Sequence, residues 1–126
     1  MFDRGAKSLL VALIAANPEN AVQSPSLHDQ AEHVVALARD RHMSLATVES
    51  CTAGALVHLL AQGEGASEAV HGGLVVYTKE NKIGAVGVPI DLLAKHTAVS
   101  AEVALAMAIG GLARTPASLV ASITGE

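Results

Sequence analysis

Leu45-Ala46-Thr47-Val48-Glu49-Ser50-Cys51-Thr52-Ala53-Gly54 is the stretch that decides the fold. Its apolar start predicts a buried strand, and its small polar end predicts a turn. Leu56, Leu59 and Leu60 then fall on one side of a helix that Gly63 and Gly65 close. Strand, turn and helix in that order form the unit from which α/β sheets are assembled.

The pattern repeats outward from this unit. Upstream, Leu27, Ala31, Val34, Val35 and Ala38 lie at helical spacing, with Asp29, Glu32, Asp40 and Arg41 on the other face. Downstream, Gly72 and Gly73 are expected to open a second strand, Leu74 to Tyr77, and a polar helix is predicted over Thr78 to Ile83. Gly84, Gly87 and Pro89 should break the chain before a short helix at Ile90 to Lys95. Ser100 is the expected N-cap of a helix running through Leu112, with Glu102 in its first turn. That helix is apolar on nearly every side and is expected to be covered. Ser118 to Ile123 reads as a third strand, before the terminal Thr124-Gly125-Glu126. Continuous apolar strands separated by helices predict an α/β fold whose sheet is mostly parallel and buried on both faces.

The 126 residues suit one domain, and a hydrophobic share of 51% with 16% charged excludes general disorder. Phe2 and Tyr77 are the only aromatic residues, which excludes a base-stacking platform for single strands. A net charge of -4 provides no field for a phosphate polymer, so no nucleic-acid partner is expected. The lone Cys51 cannot form an internal disulfide, in keeping with the cytoplasm as the expected location. Asn17 to Ser26 carries Pro18 and Pro25 and reads as a linker, so residues 1–26 are expected to be an appendage and 27–126 the compact domain. Leu9 to Ala16 is an apolar run expected to be a packing helix. It is well short of the ~20 residues a membrane span needs, and no membrane association is expected.

Chemistry concentrates at two places. Ser50 is expected at a helix start, where free amides and the dipole can hold an anion. Read from the residues alone, Ser50 or Thr52 could instead simply cap the helix, and Cys51 is a rival nucleophile. Tyr77 closes a strand and is followed by Lys79 and Lys82. In a parallel sheet Ser50 and Tyr77 share the carboxyl rim, where a desolvated lysine can serve as the base for a serine. Solvated lysines beside a half-buried Tyr77 are the alternative. The six histidines show no ligand spacing, and neither a metal nor a cofactor is expected.

Glu49-Ser50-Cys51-Thr52-Ala53-Gly54 together with Tyr77-Thr78-Lys79-Glu80-Asn81-Lys82 resembles the CinA C-terminal domain family, whose patterns there are Glu-Ser-Cys-Thr-Gly-Gly and Tyr-Ser-Asn-Glu-Ala-Lys. Gly65-Ala66-Ser67, Gly87-Val88-Pro89, Ala98-Val99-Ser100 and Thr124-Gly125 extend the resemblance from about Leu27 to the end. It implies a three-layer α/β/α sandwich. It also implies hydrolysis of the carboxamide of nicotinamide mononucleotide, a pyridine nucleotide, to nicotinate mononucleotide and ammonia. Carried over by motif, Ser50 is the nucleophile, Lys82 the base and Tyr77 a proton-transfer partner. Glu49, Cys51, Thr52, Ala53, Gly54, Thr124 and Gly125 would line the substrate.

Ala53, Lys79 and Thr97 depart from the family's Gly, Asn and Gly. The family continues past Thr-Gly with a Gly/Pro-rich loop, another strand and a helix, whereas this sequence stops at Glu126. An open pocket and a bare sheet edge are the expected consequences, and a homo-oligomer the expected way of covering them. A non-catalytic relative that binds a nucleotide or a protein is the alternative function.

Overall fold

The computed structural model describes residues 11–14 and 25–126. In chain order these are β1 (Val11–Ile14), α1 (Leu27–Asp40), β2 (Leu45–Glu49), α2 (Ala55–Ala61), a 3-10 turn at Ala66–Glu68, β3 (Val70–Val75), α3 (Lys79–Val86), α4 (Ile90–His96), α5 (Ala101–Arg114) and β4 (Leu119–Thr124). The strands form one sheet in the order β1-β4-β2-β3, and every pairing is parallel.

Side chains alternate across the sheet, so β2 supplies both layers. Leu45 joins Ala31, Val35, Ala38 and Leu60 under α1 and α2. Ala46 and Val48 join Val86, Val103, Met107 and Val120 under α3 and α5. This is the three-layer α/β/α arrangement. Ser26 caps α1 by accepting from Asp29 N at 3.1 Å, and Ser100 caps α5 by accepting from Val103 N at 3.2 Å. Gly87 closes α3 with φ 69°, a left-handed turn that costs glycine little.

Several expectations need correction. The apolar run expected as an N-terminal packing helix contributes a strand: Val11–Ile14 pairs with Ala121–Thr124. A strand is well suited here because the outer edge of β4 offers a backbone ladder to any extended apolar segment. For the same reason that edge is not bare, and those residues are part of the sheet rather than of an appendage. Gly72 and Gly73 lie inside β3, not before it, and Gly84 lies inside α3. Leu105 and Ile109 of α5 are exposed, so that helix is covered on one side only. Apolar composition all round a helix does not by itself supply a second layer to bury it.

Two positions test the packing. A Cβ on Gly110 would collide with the backbone oxygen of Val86, which is how closely α5 approaches α3. Gly110→Ala should destabilise the fold by about 1–3 kcal/mol or more in denaturant unfolding. Thr97, at the end of α4, sits at φ 63°, ψ 169°, a region suited to glycine. Thr97→Gly should raise stability by about 1 kcal/mol, since relief of about 1–3 kcal/mol of strain outweighs the flexibility gained by the unfolded chain.

Candidate active site

β2 ends by directing consecutive side chains to opposite faces. Glu49 turns toward α2, and Ser50 turns toward α3. The turn 50–54 is held from beneath by Ser50 N donating to Ile123 O at 2.9 Å, and by Val76 N donating to Glu49 O at 2.8 Å. On the other side Thr78 caps α3 through its Oγ1, which accepts from Asn81 N at 3.1 Å. Lys82 follows in the first turn of that helix. Helical side chains lean toward the N-terminus, so its amine reaches back over the end of β3.

Lys82 Nζ lies 2.9 Å from Ser50 Oγ, 2.9 Å from Val76 O and 3.1 Å from Tyr77 O. The side chain is 2% exposed and Ser50 is 6% exposed. Burial disfavours the ammonium and lowers the Lys82 pKa, while the neighbouring Cys51 sulfur, when ionised, opposes the shift. Lys79 is exposed, and burial rather than its charge is the cause. A neutral amine has two N–H donors and one lone pair. In the structure Nζ donates to all three oxygens; once it gives up a proton, with the two carbonyls keeping the remaining donors, its lone pair would face the Ser50 hydroxyl.

Glu49 has a different position from the one expected of a substrate-lining residue. It is 0% exposed. Its Oε1 accepts from Thr52 Oγ1 at 2.7 Å and Leu56 N at 2.8 Å, and its Oε2 accepts from Thr47 Oγ1 at 2.8 Å and Val57 N at 3.0 Å. Burial raises its pKa, but these bonds outweigh that and hold the carboxyl below its ordinary value of 4.5. The amides at the start of α2 are thus occupied by the chain's own carboxylate, and they cannot serve as the oxyanion donors expected there. The helix starts at Ala55, not beside Ser50, and neither Ser50 nor Thr52 caps it.

The remaining expected residues divide. The amides of Cys51, Thr52 and Gly54 have no partner among the described residues, whereas Ala53 N donates to Ser50 O at 3.0 Å. Cys51, Thr52 and Gly54 are partly exposed and Ala53 is exposed. Tyr77 meets the pair through its carbonyl, while its side chain is 66% exposed and directed into solvent. Thr124 is buried, with its hydroxyl donating to Ala98 O at 2.7 Å, so it ties β4 to the loop between α4 and α5 rather than lining substrate. Gly125 is partly exposed at the end of β4. Among the described residues no group of three or more His, Cys, Asp or Glu side chains converges to hold a metal, and no helix is long and apolar enough to cross a membrane.

The fold is that of a three-layer α/β protein with a buried Ser–Lys pair at the carboxyl rim of its sheet. Residues 27–126 match the CinA C-terminal domain, and the chain belongs to that family. It is 43% identical over 94 residues to a CinA-like protein of Chloroherpeton thalassium, covering 75% of this chain and 22% of that protein. A CinA-like protein of Mycolicibacterium gilvum is 45% identical over 94 residues, covering 75% and 22%. The chain therefore spans about a fifth of the length of these curated relatives. Among solved structures, the competence/damage inducible protein CihA of Agrobacterium tumefaciens superposes with a TM-score of 0.73 at 33% identity, covering 77% of this chain and 60% of that one. A CinA superfamily protein of Escherichia coli gives 0.72 at 28% identity, covering 80% and 60%.

The lowered Glu49 pKa carries a sign. A carboxyl depressed in the folded state stabilises above its unfolded pKa, and that contribution is lost as pH falls through the folded value. Stability should decline below about pH 4.5 more steeply in the wild type than in Glu49→Gln. Acid titrations followed by circular dichroism should show the two curves converging as pH falls. Parallel curves would contradict the assignment.

Proposed function

We propose that this chain hydrolyses the carboxamide of nicotinamide mononucleotide, with Ser50 as nucleophile and Lys82 as its base. The observation that carries this reading is the 2.9 Å contact between Lys82 Nζ and Ser50 Oγ in a buried setting. Membership of the CinA C-terminal domain family supports the choice of substrate.

In this scheme the neutral Lys82 amine takes the Ser50 proton as Oγ bonds to the amide carbon. The tetrahedral oxyanion draws on the unpartnered amides of Cys51, Thr52 and Gly54. The Lys82 ammonium then gives its proton to the amide nitrogen, the C–N bond breaks and ammonia leaves. Water enters, Lys82 accepts its proton, and the ester is hydrolysed to the nicotinate product with Ser50 restored. Proton transfer by a positioned base of this kind contributes roughly 10²–10⁴ in rate. Tyr77, on this geometry, contributes its carbonyl as an anchor for Lys82, and its exposed ring is free to close over a bound base.

Ammonia release from nicotinamide mononucleotide is the direct test. Ser50→Ala should abolish it, and Lys82→Met should reduce it by about 10²–10⁴. The wild-type rate should rise with pH through the lowered lysine pKa and then level off. Cys51→Ala should retain most of the plateau rate and move the rising limb to lower pH, because it removes the one opposing charge. Full activity in Ser50→Ala would refute the scheme.

A further inference from the structure

Backbone bonds anchor the turn that carries Ser50 at its start, but its far end is conformationally costly. Ala53 sits at φ 49° and Gly54 at φ 97°, both left-handed. A non-glycine residue there costs about 1–3 kcal/mol and persists only where its surroundings over-determine it. Neither the Ser50 nor the Thr52 side chain caps α2, so local capping does not supply the constraint.

Glu49 does supply it. Its carboxylate joins β2 through Thr47, the turn through Thr52, and the first turn of α2 through Leu56 and Val57. With 0% exposure it cannot touch a substrate. We propose that Glu49 is the positioning residue of the nucleophile turn, an internal anion that fixes Ser50 Oγ against Lys82 and keeps the amides of Cys51, Thr52 and Gly54 free for an incoming oxyanion. The Thr52 hydroxyl is its handle on the turn. This rests on Ser50 and Lys82 being the reacting pair, but not on the identity of the substrate.

Glu49→Gln breaks the arrangement whichever way the amide is turned. A carboxamide NH₂ cannot accept, so either Leu56 N or Val57 N meets a donor. Thr52→Val is the milder companion, removing the bond to the turn while leaving α2 capped. The readout is labelling of Ser50 by phenylmethanesulfonyl fluoride, followed by intact mass over a range of pH on the full chain. In that step the Ser50 Oγ–S bond forms, the S–F bond breaks, fluoride leaves and Lys82 takes the proton.

Labelling should fall about 10²-fold in Glu49→Gln, the scale expected of a nucleophile misplaced by about an ångström, and about tenfold in Thr52→Val. The pH midpoint should stay in place in both, because Lys82 is shifted by burial on the opposite face. Val35→Ala, in the core under α1, should lose stability but label at the wild-type rate while folded. Wild-type labelling in folded Glu49→Gln or Thr52→Val would overturn the proposal, as would a wild type that does not label at Ser50. If Glu49→Gln does not fold, Thr52→Val decides. Ammonia release assayed in parallel separates the two readings: Glu49-dependent labelling without hydrolysis of nicotinamide mononucleotide would refute the substrate and leave the positioning role standing.

Discussion

A lysine nitrogen with almost no access to water must find its partners inside the protein, and Lys82 finds them in Ser50 Oγ and the carbonyls of Val76 and Tyr77. Much of the structure is arranged around that demand. The cap at Thr78 sets the start of α3, and the backward lean of helical side chains brings the amine over β3. Val76 and Tyr77 leave the sheet with their carbonyls turned toward it, because Val76 N is held by Glu49 O. No buried side-chain polar atom among the described residues lacks a partner, so the cost of burying this amine is met by bonds rather than by strain.

The alternation of β2 divides the labour at the rim. One residue, Ser50, faces Lys82 and α3, and its neighbour Glu49 faces the start of α2. A slip by one position would exchange them, placing a carboxylate against Lys82 and a hydroxyl at the start of α2. β2 keeps one parallel register with β4 throughout and with β3 from Ala46 onward, after an irregularity at Leu45/Ala46, which sets Glu49 and Ser50 on their faces. The same feature lets a motif of six consecutive residues hold both the proposed nucleophile and its proposed scaffold.

Most of the fold was legible from periodicity: α1, β2, α2, α4, α5 and β4 lie close to where the apolar spacing placed them. The Ser50 and Lys82 pairing was legible from the motif resemblance, whereas spacing alone favoured solvated lysines. Three things were not legible. A strand at Val11–Ile14 depends on the edge of β4, a partner more than a hundred residues away that no local window contains. The role of Glu49 depends on two amides seven and eight residues downstream, and a carboxylate beside a nucleophile reads equally well as a substrate contact. The direction of Tyr77 depends on how the chain leaves β3. Thr97 and Ala53 show the converse: their departure from glycine was visible in the sequence, and both prove to occupy positive φ.

The central claim is that Lys82 is a base made available by burial. The most direct measurement is the titration of its side-chain nitrogen by NMR, with the resonance assigned through Lys82→Met. The account predicts a midpoint below the ordinary lysine value of about 10.4, moving lower still in Cys51→Ala. A midpoint at or above the ordinary value would contradict it.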